Sequence, residues 1–173
     1  KSVDPEIKVI QNMTGTTPAA WNDPVKGAEL ARAQISQGAD VIYAAAGGTG
    51  IGVLQAAADA NVLSVGVDSN QNHLHPGKVL TSVLKRVDNS VYEAFKAGEA
   101  VEPGIKLMDL KAEGVDVAID DNNKALVTPE MQAAVDEAVE RIRAETRGQV
   151  LGHAPEGGRV GPLVVVHHDH QRQ

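Results

Sequence analysis

Residues 38–71, GADVIYAAAGGTGIGVLQAAADANVLSVGVDSNQ, constrain the fold more than any other stretch of the chain. Asp40 to Ala45 is an apolar run of strand length. Gly47, Gly48, Gly50 and Gly52 then supply a turn in which backbone can approach a ligand closely. From Val53 to Ala60 the pattern becomes alanine-rich helix, and Leu63 to Val67 reads as a second buried strand. Two parallel strands joined by a helix make a right-handed βαβ unit, with ligands bound in the crevice beyond the carboxyl ends of the strands. The glycine turn and Asp68 both fall at that edge.

The flanking sequence extends the same alternation. Glu6 to Met13 alternates like a strand, with Ile7, Val9 and Gln11 on one face. Asp23-Pro24 opens a helix: Asp23 caps it, and Pro24 takes the first helical position, where a missing N–H costs nothing. That helix runs to about Gln37, burying Ala28, Ala31, Ile35 and Leu30, and Gly38 ends it. After Asp68 comes a polar loop, then a strand over Val79 to Leu84 that leads into Lys85. A helix follows from Val87 to near Gly98, with Val87, Val91, Ala94 and Phe95 on one face. Gly104 to Leu110 and Val115 to Ile119 are short strand candidates that pair as a hairpin or join a sheet edge, and 120–123 is a turn. Thr128-Pro129 repeats the cap-proline signal before an exposed helix to about Glu145, with Val135, Val139 and Ile142 inward.

From Gly148 the composition shifts to glycine, proline and histidine, and the only strand-like run is Leu163 to Val166. Residues 1–147 are therefore expected to form one ligand-binding lobe, and 148–173 a divergent, loosely ordered tail with one added edge strand. The first residue is Lys1, which suits a processed or partial chain.

Bulk properties narrow the chemistry. A net charge of −7, with no basic cluster, argues against nucleic-acid binding. The absence of cysteine removes disulfides, zinc-thiolate sites and thiol nucleophiles together. No run is long and apolar enough to cross a membrane. GGTGIG fails G-x-G-x-x-G in every register, and there is no G-K-[ST], so dinucleotide and triphosphate sites are disfavoured. His73/His75 and His167/His168/His170 have metal-like spacings but lack a matched carboxylate set, and solvated side chains account for them. No nucleophile elbow, catalytic triad spacing or HExxH motif occurs. No cofactor is expected.

Four kinds of residue remain as site candidates. Asp68, at a strand end, can accept two hydrogen bonds from a vicinal diol, and it can equally cap a loop. Lys85, directly after a strand, can neutralise Asp68 and donate to the same hydroxyl, or stand as a solvated charge. Trp21, the single tryptophan, can stack on a flat ring or pack over its own helix. Gly47 and Gly48 suit close backbone approach to a ligand and also tight strand–helix packing.

The segments GADVIYAAAGGTGIGVLQAAADA, GVDSNQNHLHPGKVLTSVLKRVD and ALVTPEMQAAVDEA resemble the C-terminal half of the basic membrane protein family, PnrA-like substrate-binding lipoproteins of ABC transporters. The resemblance runs from about Ile7 to about Arg143. It implies an α/β, type I periplasmic-binding-protein lobe: a parallel, Rossmann-like sheet flanked by helices, here without its second lobe and lipobox cysteine. By that resemblance Asp68 and Lys85 bind ribose hydroxyls, Trp21 stacks on a purine base, and Gly47 and Gly48 line the pocket. The expected function is non-enzymatic nucleoside binding for a transporter permease. The location implied is periplasmic or cell-surface, with membrane attachment only through a lipid anchor absent from this chain. Two other readings stay open. One is the effector-binding domain of a sugar-responsive transcription regulator; the other is a small α/β enzyme acting on a ribosyl compound, with Asp68 as base.

Overall fold

A computed structural model describes residues 5–145 and 162–167. The strands are β1 (Lys8–Met13), β2 (Val41–Ala44), β3 (Leu63–Asp68), β4 (Val79–Lys85), β5 (Val115–Val117) and β6 (Pro162–His167). The helices are α1 (Pro24–Ser36), α2 (Thr49–Asp59), α3 (Val87–Ala97) and α4 (Pro129–Glu145). One sheet carries the order β1-β6-β2-β3-β4-β5. Its centre, β2-β3-β4, is parallel as the βαβ pattern requires, while β5 runs antiparallel to β4.

The tail strand is not at an edge. β6 lies antiparallel to both β1 and β2 and joins them, since among the described residues β1 pairs with no other strand. The four apolar residues Leu163 to Val166 can bond a neighbour on either side, and sequence pattern does not say how many neighbours are present. The remainder of the expected loose tail, with His168 and His170, lies outside the described residues.

The core is small-residue packing between two helices and the sheet. Ala31 of α1, Val53, Ala56 and Ala57 of α2, and Ile42 and Ala44 of β2 form one buried cluster, with Ile10, Ala28, Leu30 and Ile35 packed against it. α1 begins as expected: the Asp23 carboxylate accepts from Lys26 N–H at 2.9 Å, with Pro24 next. Gln34 joins the buried side of α1 and donates to Asn12 at 2.7 Å. That bond belongs to the inward face of β1, which carries Ile10 and Asn12. The face with Val9 and Gln11 is the exposed one, because the polar Asn12 is bonded rather than solvated.

α2 starts at Thr49, four residues before the alanine pattern, so Gly50 and Gly52 are helical rather than part of the turn. A side chain at Gly52 would overlap the Pro24 carbonyl, so its absence lets α1 and α2 touch backbone to backbone.

Three expectations fail for want of a partner surface among the described residues. Residues 104–110 are not a strand: β5 occupies the β4 edge, and Ile105 and Leu107 stand exposed. α3 forms over its expected length but buries no residue, and Phe95 is 82% exposed. α4 stands off the sheet across a cavity of about 290 Å³, lined by Leu80, Val117, Met131 and Val135 among others. Val135 and Ile142 are consequently exposed, and only Val139 of the expected inward set is half-buried.

Candidate functional site

Each parallel-running strand delivers one candidate residue to its carboxyl end. Trp21 closes a short 3-10 turn, Pro18–Trp21, after β1. Gly47 follows β2, Asp68 ends β3 and Lys85 ends β4. All four line one open depression of about 400 Å³. Gly48 does not line it; that residue faces Asn22 and the Trp21 carbonyl instead. Tyr43, Ala45, Val67, Val83, Leu84 and Val115 complete the wall. Sequence reasoning overlooked these apolar residues, although Tyr43 alternates with the core positions Ile42 and Ala44 and so must point off the core face.

Lys85 Nζ donates to Asp68 Oδ1 at 2.7 Å, with both side chains more than half exposed. Such a pair contributes little to stability. It does hold an acceptor and a donor side by side at the rim. Asp68 adopts φ 68°, the left-handed region that aspartate tolerates better than most residues, and this turns the chain sharply out of β3.

The polar loop after Asp68 is tied down more firmly than its composition suggests. Gln71 Oε1 accepts from the Val67 N–H, and the Gln71 N–H donates to Ser82 Oγ. Ser82 Oγ donates to Asn72 Oδ1, and Asn72 Nδ2 donates to the Ala118 carbonyl. Asn123 Nδ2 donates to the Ala118 and Leu80 carbonyls. Asn72, Ser82 and Asn123 are fully buried. Buried and satisfied, such a network fixes geometry well. Asp120 accepts from Asn70 and Asn72 at its margin, and these amide bonds, Asn70 first, hold its carboxyl below the ordinary carboxylate value.

The turn before α2 offers less to an anion than its glycines suggest. The N–H groups of Gly50 and Ile51 donate to the carbonyls of Gly47 and Gly48. His73 is exposed and His75 half-buried, and no group of metal-ligating side chains occurs among the described residues. No described helix is long and apolar enough to cross a membrane.

A family model described as "ABC transporter substrate-binding protein PnrA-like" matches residues 1–147. The chain is 32% identical over 133 residues to "Basic membrane protein D" of Borreliella burgdorferi, covering 72% of this chain and 37% of that protein. It is 34% identical over 158 residues to "ABC transporter nucleoside-binding protein BmpA" of Lactococcus lactis subsp. cremoris, covering 80% and 42%. Among solved structures, a "Transcriptional Activator of comK gene" from Bacillus halodurans superposes with a TM-score of 0.63 at 24% identity, over 69% of this chain and 42% of that one. At that identity the likeness concerns the fold alone. An ABC transporter solute-binding protein from Aeropyrum pernix gives a TM-score of 0.55 at 26% identity, over 76% and 39%. The chain thus spans about two fifths of the length of these relatives. Its sheet, its helices and the match over residues 1–147 agree, and the chain belongs to the PnrA-like family of ABC transporter substrate-binding proteins.

Proposed function

We propose that this chain forms one wall of the ligand cleft of an ABC transporter receptor, and that the ligand is a purine nucleoside or a related ribosyl compound. The observation that carries the reading is the Asp68–Lys85 pair at 2.7 Å on the same rim as the exposed face of Trp21. A vicinal diol donates both hydroxyls to a carboxylate, and an ammonium donates to a hydroxyl oxygen. An indole beside them stacks on a flat base. The depression of about 400 Å³ falls within the range of small-molecule sites, roughly 300–1,000 Å³. The name of the Lactococcus lactis relative supports the same ligand class.

On this reading the protein is a binding protein, not an enzyme. It hands its ligand to a transporter permease from outside the cytoplasmic membrane, tethered as a lipoprotein in the full-length parent. The opposite wall comes from a second lobe. Closure would bury the Asp68–Lys85 pair, which is now half solvated, and strengthen its hydrogen bonds to ligand in the drier cleft.

Calorimetric titration of the full-length parent with inosine, guanosine and adenosine tests the reading, with ribose and free bases as controls. Binding of nucleosides, lost in Asp68→Ala, is expected. Heat from ribose or a peptide with none from any nucleoside would overturn the ligand class.

A further inference from the structure

We propose that the Gly47-Gly48-Thr49 turn is the mount of the Trp21 indole, with Thr49 as the positioning residue that sets where the ring stands over the depression. In this role the glycines bring backbone close to Trp21 rather than to a ligand.

The geometry is specific. Thr49 is fully buried, and its hydroxyl makes two long-range bonds at once. Oγ1 donates to the Ala20 carbonyl at 2.7 Å and accepts from the Asp23 N–H at 2.7 Å. Those partners lie immediately before and after Trp21-Asn22, so one side chain clamps the tip of the loop at both ends. Asp23 in turn caps α1, which joins the downstream end of the clamp to a helix. The upstream Pro18–Trp21 turn has no side-chain cap of its own.

The two glycines supply the seat. Gly47 has φ 55°, and a Cβ there would come within 3.2 Å of the Trp21 carbonyl oxygen and 3.3 Å of its ring atom Cε3. A Cβ on Gly48 would meet Asn22 Oδ1 at 3.0 Å and the Trp21 carbonyl oxygen at 3.3 Å. Both are tighter than ordinary van der Waals contact, so a side chain at either position pushes the Trp21 loop outward. Trp21 is 42% exposed, yet its backbone is held from below and from both sides. A ring fixed before ligand arrives loses less freedom on stacking, which is how preorganisation raises affinity.

Because Trp21 is the single tryptophan of the chain, its fluorescence reads the mount directly. Thr49→Val keeps the shape and removes both bonds; Thr49→Ser keeps the hydroxyl. Measured well below the melting midpoint given by circular dichroism, Thr49→Val is expected to show lower Trp21 anisotropy and stronger acrylamide quenching, with Thr49→Ser close to wild type. Gly48→Ala, at a backbone conformation any residue adopts (φ −61°, ψ −26°), keeps the fold accessible if the valine variant does not fold. It is expected to shift the Trp21 emission maximum. Wild-type fluorescence in folded Thr49→Val and Gly48→Ala would overturn the proposal, as would Thr49→Ser behaving like Thr49→Val. The binding arm rests on the nucleoside reading above. In the full-length parent, Thr49→Val is expected to weaken inosine about tenfold, and Thr49→Ser to restore it. Failure of inosine to bind even the wild type would count against that reading alone, because the fluorescence comparison needs no ligand.

Discussion

Asp68 combines two demands that few residues meet together: a left-handed backbone at the end of β3 and a carboxylate at the rim of the depression. Asparagine shares the backbone tolerance and lacks the charge. Asp68→Asn is therefore expected to change stability by less than about 0.5 kcal/mol, because the exposed ion pair with Lys85 contributes little. Asp68→Ala should cost about 1–2 kcal/mol through backbone strain. Urea denaturation of both variants separates the two effects. Asp120 makes a pH prediction. Its carboxyl is lowered by the Asn70 amide first and by the Asn122 backbone N–H next, with burial opposing. A value depressed on folding stabilises fully above the unfolded value of about 3.9 and loses that contribution as pH falls through the folded value. Wild type should therefore exceed Asp120→Asn in urea midpoint near neutrality, with the gap closing as the buffer is taken into the acid range. The spacing of Asp68 from the glycine turn was legible in the sequence. The left-handed turn at Asp68 was not, since Asp-Ser-Asn suits several loop geometries.

At the scale of elements, the α1–α2 contact depends on missing side chains. Gly52→Ala would drive a methyl group into the Pro24 carbonyl, where both partners are backbone and neither can swing aside. A loss of about 3 kcal/mol or more is expected, read from urea unfolding. Phe95→Ser in α3 is the counterpart. Periodicity marks Phe95 as a core position, yet it is 82% exposed, so the change should stay within about 0.5 kcal/mol in this chain. The helical pattern of residues 87–97 was correct as a pattern. Amphipathicity reports that a face needs cover, and only the tertiary structure reports whether cover is present. The loop after Asp68 shows the converse. Its Ser, Asn and Gln residues read as solvated turn chemistry, but Asn72 is buried and bonded across 46 residues to the Ala118 carbonyl. Nothing local in SNQN signals that partner.

For the whole molecule, β6 is the strand on which β1 depends. Ending the chain at residue 147 would leave β1 without its neighbour and open a gap beside β2. Amide exchange along β1 in that shortened chain is expected to speed up far more than exchange in β3, measured by hydrogen–deuterium exchange. Equal protection of both strands in the shortened and complete chains would contradict the pairing. The family match ends at residue 147, so this sheet is completed by a strand beyond the matched region. By itself the sequence determined the elements with strong periodicity and capping signals: α1 from Asp23-Pro24, the parallel β2-α2-β3 unit, β4 running into Lys85. It also determined which edge would carry Gly47, Asp68 and Lys85, because the parallel connection leaves the carboxyl ends on one side. The tertiary structure alone decided that Gly47 and Gly48 seat Trp21, that Thr49 clamps its loop, and that β6 enters the sheet between β1 and β2. Periodicity records the face that a residue turns away from water. A contact spanning 26 or more residues is set by which surfaces meet, and that is a property of the packed chain.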